Sequence, residues 1–164
     1  MKTLLILDID ETLLHSSYQE IQRSADLKFR GICIYFRPYL KEFLEACFKN
    51  YDVAVWSSAR AEYVKYILGN LTGLSTFSFI KTRKNCRSVI KQPGLFSHMK
   101  RYYEKDINKV ISHEKIIVID DSPDQIKIKS GFTIVIPIKR YLGETDDTAL
   151  KDLLKTICSK KNLK

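Results

Sequence analysis

The sequence lacks any long hydrophobic run. No apolar stretch among its 164 residues approaches the ~20 residues that a membrane-spanning helix needs, which excludes a helical membrane protein. The chain starts with Met1-Lys2-Thr3 and a short apolar segment that ends in acid, which is not the pattern of a signal peptide. We therefore expect an intracellular protein, cytoplasmic or nuclear, with no membrane contact.

Paired cysteines are missing as well. The four cysteines lie without CxxC spacing at Cys33, Cys47, Cys86 and Cys158. Isolated cysteines are typical of small buried side chains rather than of zinc ligands or disulfides, so we expect reduced thiols. Internal repeats and low-complexity linkers are also absent. Residues 1–164 therefore predict a single domain, with a frayed Lys-rich tail over 159–164.

Acidic residues are in the minority. Lysine and arginine number 28 against 19 aspartates and glutamates, a formal charge of +9. This balance predicts an anionic partner, whether nucleic acid, phosphoprotein or phosphorylated small molecule, unless the charge serves only solubility. The densest cationic stretch runs from Lys81 to Lys91 without an acid, ahead of a turn at Pro93-Gly94. It is either a solvated loop or a substrate-facing insertion.

The first fourteen residues carry the main functional signal. The continuous apolar run Leu4–Leu7 is typical of a parallel strand buried on both faces, and Asp8 and Asp10 follow it. Side chains two apart on a strand point the same way, and ligands bind at this end of an open α/β sheet. The crowded acids predict a divalent cation, and their oxygen ligands favour magnesium together with a substrate phosphate.

A second strand ends in acid in the same way. The apolar run 115–119 is followed by Asp120 and Asp121, and buried carboxylates are costly without a partner. A lysine near the acids would neutralise them, but periodicity does not choose among Lys100, Lys105 and Lys109. Ser57 follows the strand 52–56 and either binds a phosphoryl oxygen or simply caps the next helix.

The remaining pattern alternates strands and helices. It predicts an α/β protein with a mostly parallel central sheet and helices on both faces. The expected elements are a hairpin over 27–36, helices over 38–49 and 60–68, a turn over 69–74, strands over 77–80 and 133–137, and a C-terminal helix after Asp146-Asp147-Thr148. Arg37, just before the first helix, is either a solvated cation or a brace for the acidic cluster.

Six segments carry a family resemblance. The string LDIDETLLHS resembles the first motif of the haloacid dehalogenase (HAD) superfamily, in the form found in NIF or FCP/SCP-like phosphatases of the RNA polymerase II C-terminal domain. The other segments are similar to later motifs of that group; they read FRPYLKEFL, VWSSARAEYV, TRKNC, YYEKDINKV and KIIVIDDSP. The resemblance implies a HAD-type Rossmann-like fold, a small β insertion between motifs two and three, and no large cap domain.

The resemblance also implies roles for individual residues. It makes Asp8 the nucleophile and Asp10 the general acid–base, and it selects Lys105 as the lysine of the site. The substrate-binding residues that it implies are Thr12, Ser57, Ser58 and Arg83. The implied ligands of a Mg²⁺ cofactor are Asp8, Asp10 through its backbone carbonyl, Asp120 and Asp121.

The implied activity is that of a protein phosphoserine/phosphothreonine phosphatase acting on a phosphorylated protein or peptide. Two alternatives stay open at this point. One is a HAD phosphatase acting on nucleic-acid ends or small phosphate esters, which the positive charge favours. The other is a non-catalytic phosphopeptide-binding scaffold of the same fold.

Overall fold

The computed structural model describes residues 2–71, 77–92, 98–128 and 132–159. The predicted turn at Pro93-Gly94 lies outside the described residues, as do residues 72–74 of the predicted turn over 69–74 and residues 160–164 of the predicted tail. Residues 69–71 are helical rather than part of a turn. Within the described ranges, no helix combines the length and apolar character that crossing a bilayer requires. Cys33 and Cys86 carry free thiols, as expected.

The described chain contains three α-helices and eleven short strands. The helices are α1 (Leu40–Asn50), α2 (Ala61–Leu71) and α3 (Ala149–Ser159). The strands are β1 (Leu4–Leu7), β2 (Leu14–Ser17), β3 (Leu27–Phe29), β4 (Ile32–Phe36), β5 (Asp52–Trp56), β6 (Ile80–Lys81), β7 (Arg87–Lys91), β8 (Lys100–Asp106), β9 (Ile116–Asp120), β10 (Ile126–Lys127) and β11 (Thr133–Pro137).

A five-stranded parallel sheet forms the centre, in the order β11-β9-β1-β5-β6. All four residues of β1 are buried, because this strand is flanked on both sides by neighbours and covered on both faces. The predicted parallel sheet is therefore confirmed. Strands β1, β5, β9 and β11 coincide with strands that the sequence predicts, whereas β6 shares only Ile80 with the predicted strand 77–80.

The two faces of this sheet are covered differently. Leu5 and Leu7 point to the face on which α1 and α3 pack, with Phe43 and Leu150 fully buried between them. Leu4 and Ile6 point to the opposite face and pack against Ile107 and Val110 among other residues. The helical cover that contributes to this second face is a short 3-10 helix, Ile107–Lys109, rather than a further α-helix.

Two three-stranded sheets flank the centre. The first has the order β2-β4-β3 and includes the predicted hairpin, whose turn holds Gly31 at a φ of 82°. The second has the order β10-β8-β7 and is the small β insertion that the resemblance implies. Strands β7 and β8 are not evident from the sequence because more than half of their residues are charged, so no apolar alternation marks them.

Candidate active site

The parallel register brings the acidic strand ends together. Leu7 of β1 is in register with Ile119 of β9, so the next residues, Asp8 and Asp120, lie side by side at the carboxyl edge of the sheet. The Asp8 N–H donates to the Ile119 carbonyl at 3.0 Å. Both aspartates are buried, which is costly for two carboxylates unless a cation joins them.

Lys105 supplies that cation. Its Nζ donates to Asp8 Oδ1 at 2.5 Å and to Asp120 Oδ2 at 2.6 Å, and its side chain is only 5% exposed. Strand β8 carries Lys105 inward, paired in register with Ile126 of β10. Lys105 is thus the lysine that the structure brings to the acids, as the resemblance predicts.

The charges in this group shift one another's pKa. Burial acts to lower the pKa of Lys105, but Asp8 and Asp120 outweigh burial and hold it above its usual range. Burial and the charge of Asp120 raise the pKa of Asp8 to about 7, against the opposing effect of Lys105. One ammonium group therefore does not balance two buried carboxylates, and the site favours an additional cation.

A tyrosine of helix α2 holds the carboxylate of Asp10. The Tyr63 hydroxyl donates to Asp10 Oδ1 at 2.8 Å. Burial raises the pKa of Asp10, while the hydrogen bonds of Tyr63 and Ser57 act to lower it. A raised pKa favours the protonated form of this carboxyl group, which suits the role of a general acid. Sequence reasoning missed Tyr63, which reads as an ordinary buried residue of an amphipathic helix.

The loop after Asp10 has an unusual backbone. Glu11 has a φ of 62°, which is uncommon for a residue with a side chain and marks a strained turn. Its N–H donates to the Leu14 carbonyl at 2.7 Å, and its own carbonyl accepts the Tyr141 N–H at 2.8 Å. The turn is therefore tied to the segment that follows β11.

Arg37 braces this loop rather than the acidic cluster. Its Nη1 donates to the Thr12 carbonyl at 2.9 Å, and its Nε and Nη2 bind the two oxygens of Asp147 at 2.7 and 2.9 Å. Burial acts to raise the pKa of Asp147, but the hydrogen bonds of Arg37 and the Ala149 N–H bring it below its usual value. Neither role left open for Arg37 is what the structure shows: Arg37 is buried rather than solvated, and it braces the loop at Thr12, with Asp147 as its counter-ion.

The predicted substrate-binding residues occupy different places. Thr12 and Ser57 are fully buried; Thr12 Oγ1 accepts the Asp121 N–H at 3.1 Å, and Ser57 Oγ accepts the Ala59 N–H at 3.0 Å. Ser58 lines the open cavity. Neither Thr12 nor Ser57 is among the described residues that line this cavity.

Arg83 contacts Ser58, a residue of the cavity lining, from the side away from the cavity. Its Nε donates to the Ser58 carbonyl at 2.7 Å, and its guanidinium carbon lies 4.8 Å from the centre of the Tyr103 ring. These contacts position Ser58, and the described lining residues do not include Arg83. Its direct contact with substrate stays a prediction.

An open cavity of about 150 Å³ exposes the strand-end acids. Five carboxylates and two cations line it, together with Ser58, Ser122 and Gln125; the charged residues are Asp8, Asp10, Glu11, Asp120, Asp121, Lys105 and Arg140. Carboxylate oxygens of Asp8, Asp120 and Asp121 lie within 4.8 Å of one another and could hold a divalent metal. The carboxylate of Asp10 is outside this group, so its predicted ligand atom remains the backbone carbonyl.

Comparison with solved structures identifies the fold class. The fission yeast RNA polymerase II CTD phosphatase Fcp1, solved as an alanine variant bound to beryllium fluoride, has the same fold, with a TM-score of 0.57 and 16% identity over 99% of this chain and 51% of that one. The chain is thus an α/β domain of the same fold class as Fcp1.

Sequence comparison identifies the family within that class. The model of the NLI interacting factor-like phosphatase family matches residues 3–163, and the chain belongs to this family. Relatives include a probable C-terminal domain small phosphatase of Dictyostelium discoideum, 26% identical over 94% of this chain and 49% of that protein. Another is nuclear envelope morphology protein 1 of Saccharomyces cerevisiae, 28% identical over 93% of this chain and 38% of that protein. The chain spans about half the length, or less, of these relatives.

Proposed function

We propose that this chain is a Mg²⁺-dependent phosphatase that hydrolyses phosphate monoesters of phosphoserine or phosphothreonine in proteins, through an aspartyl-phosphate intermediate. The observation that carries the proposal is Asp8, a buried carboxylate that faces an open cavity and is held in place by Lys105. The names of the relatives, which include C-terminal domain phosphatases, support a phosphorylated protein as the substrate class.

In the first half-reaction, an oxygen of Asp8 attacks phosphorus and the bond from phosphorus to the leaving oxygen breaks. Asp10 donates its proton to that leaving oxygen, and Tyr63 keeps the Asp10 carboxyl group oriented. In the second half-reaction, water attacks the phosphorus of the aspartyl-phosphate while Asp10 takes a proton from the water. Asp8 is then released as a carboxylate together with inorganic phosphate.

We propose three Mg²⁺ ligands: the carboxylates of Asp8 and Asp121 and the backbone carbonyl of Asp10. Asp120 is less available, because its Oδ2 accepts from Lys105 and its Oδ1 accepts the Ser122 N–H at 2.8 Å. When bound, Mg²⁺ would neutralise the carboxylates and polarise the phosphoryl oxygens. Lys105 contributes a positive charge that is already fixed in position.

The test is hydrolysis of an aryl phosphate by the purified chain, with Mg²⁺ and with EDTA in its place. We expect turnover with Mg²⁺ and a return to background with EDTA. No turnover in either condition, with phosphopeptide binding intact, would instead support the non-catalytic scaffold. A panel of phosphopeptides, nucleotides and phosphorylated DNA ends then separates the protein substrate class from nucleic-acid ends, which the charge of +9 keeps as the second candidate.

A further inference from the structure

The rim of the cavity carries a cation that the proposed reaction does not use. Arg140 lines the cavity, and its side chain is 65% exposed. Its Nε lies 3.6 Å from Glu11 Oε2 and 3.8 Å from Asp121 Oδ2, both beyond hydrogen-bond range. The guanidinium group therefore stands between two carboxylates without being fixed to either.

The backbone that carries Arg140 is, in contrast, firmly anchored. The Lys139 carbonyl accepts Arg37 Nη2 at 2.8 Å, and the Tyr141 N–H donates to the Glu11 carbonyl at 2.8 Å. These bonds lie on either side of Arg140 and hold its Cα at the edge of the cavity. Only its long side chain is left to move, and its exposure means that a reorientation breaks little packing.

Glu11 gives a reason for a cation at this position. Its side chain is only 12% exposed, and Oε2 has no hydrogen-bond partner among the described residues. A buried carboxylate oxygen without a donor is costly, and the nearby guanidinium group offsets part of this cost through its charge. Arg140 thus serves as a counter-charge for Glu11 and Asp121 when no ligand is bound.

The charge balance of the cavity makes Arg140 relevant to both proposed ligands, the metal and the phosphate. Five carboxylates attract a divalent metal and repel a phosphate, and Arg140 and Lys105 act with the opposite sign. Lys105 is held by two hydrogen bonds inside the site, whereas Arg140 is not. A metal on Asp121 would compete with Arg140 for that carboxylate and leave its planar fork of donors available to phosphoryl oxygens.

We propose that Arg140 couples the two ligands of the site: it opposes metal binding at Asp121 while the phosphate position is empty, and it strengthens binding of the phosphoryl group. This inference rests on the proposed function, since it takes a metal and a phosphate to be the ligands. It adds a residue that determines the order and affinity of their binding. Arg140 is a binding residue here and takes no part in proton transfer.

The test is isothermal titration calorimetry on the whole chain. Mg²⁺ is titrated into metal-free protein, and inorganic phosphate is titrated into protein saturated with Mg²⁺. For Arg140→Gln we expect the Kd for Mg²⁺ to fall about two- to fivefold and the Kd for phosphate to rise about two- to fivefold, the range of an exposed ion pair. Both shifts should shrink as added salt screens the charge.

Two further variants separate the role of Arg140 from a general charge effect. Lys139→Gln removes the same charge from the adjacent residue, whose Nζ lies 3.8 Å from Glu144 and outside the cavity; both Kd values should stay within experimental error of wild type. Arg140→Lys keeps the charge, so it should retain the wild-type Kd for Mg²⁺. It should recover only part of the phosphate affinity, because an ammonium group lacks the planar fork.

Opposite shifts of the two Kd values in Arg140→Gln, without such shifts in Lys139→Gln, support the coupling. If Arg140→Gln changes neither Kd, changes only one, or moves both in the same direction, the coupling is wrong. Equal shifts in Lys139→Gln would also overturn it, since net charge alone would then explain the data. If wild-type protein binds neither Mg²⁺ nor phosphate, the proposed function fails, and this inference fails with it.

Discussion

Two cations, Arg37 and Lys105, are buried in the part of the chain that the structure describes, and they differ in the number of carboxylates that surround them. Arg37 faces the single carboxylate of Asp147 and also donates to the backbone carbonyls of Thr12 and Lys139. Lys105 faces two carboxylates, Asp8 and Asp120, next to an open cavity. The first group is neutral and its side chains are almost fully buried, whereas the second carries a surplus negative charge and lines an open cavity.

This difference separates a structural role from a functional one. The charges of Arg37 and Asp147 balance each other, so this buried ion pair does not attract a further ion. Its role is to hold the loop around Thr12 in position. Burial and the neighbouring charge of Asp120 raise the pKa of Asp8, and the surplus of carboxylates beside Lys105 favours a cation. Perturbed carboxyl groups in a cleft are the usual sign of chemistry, and the predictions below test that distinction.

The largest effect is expected for Asp8→Asn. The variant should lose all measurable turnover, because an amide is a poor nucleophile, while its thermal unfolding midpoint should not fall, because a charge leaves a crowded acidic cluster. Hydrolysis of an aryl phosphate and a thermal melt measure the two quantities. Asp124→Asn is the matched control, since Asp124 is exposed and outside the described cavity lining. Substantial turnover in Asp8→Asn would contradict a covalent role for Asp8.

A smaller effect is expected for Asp10→Asn. Loss of general acid–base help typically lowers kcat by ~10²–10⁴, and the loss should be smaller for aryl phosphates, whose leaving groups need little protonation. Comparing kcat for aryl and alkyl phosphates measures the difference. Tyr63→Phe serves as a milder companion, because it removes the hydrogen bond to Asp10 but not the carboxyl group. Equal losses on both esters would indicate that Asp10 acts mainly through the metal.

Arg37→Met tests the buried ion pair of Arg37 and Asp147. Removing Arg37 leaves Asp147 buried without its partner, which typically costs about 3–5 kcal/mol in the free energy of unfolding, as urea denaturation would measure. The double variant Arg37→Met/Asp147→Leu should recover much of this loss, because no unpaired charge remains. If Arg37→Met instead lowers kcat without lowering stability, Arg37 belongs to the active site and the comparison fails.

The fold was predictable where apolar runs mark it. Strands β1, β5 and β9 are such runs, and the acids that follow β1 and β9 could be placed at one sheet edge from chain direction alone. Lys105 could not, because β8 belongs to a second sheet whose strands carry no apolar alternation; only the family resemblance selects it. The pair of Arg37 and Asp147 joins residues 110 positions apart in the chain, and no local pattern links them.

A pH dependence follows from the pKa of Asp8. Because this pKa is raised to about 7 in the metal-free protein, a proton competes with the metal below that value. The Kd for Mg²⁺ should therefore fall as pH rises, by about tenfold per pH unit below the pKa, and level off above it. Calorimetric titrations between about pH 6 and about pH 8 would measure this. Asp8→Asn should remove the step at about pH 7, and an unchanged profile in that variant would assign the step to another group.

The smallest effect concerns the cations from Lys81 to Lys91, which lie outside both buried groups. Arg87 is exposed on β7 opposite Glu104, whereas Arg83 binds the Ser58 carbonyl behind the cavity. Reversing both arginines to Glu should raise KM for a phosphopeptide several-fold, and salt should weaken the effect because it screens exposed charges.

The two single reversals assign that effect to one arginine or the other. If the stretch recognises the substrate, Arg87→Glu should raise KM for a phosphopeptide while kcat/KM for an aryl phosphate stays within a few-fold, because a compact ester extends little beyond the cavity. Arg83→Glu should in addition lower aryl phosphate turnover, since it releases the carbonyl of Ser58 at the cavity wall. If neither reversal changes either substrate, the stretch is a solvated loop. If Arg87→Glu lowers both activities equally, the phosphate site extends beyond the described cavity, and the open cluster around Lys105 depends on charges outside it.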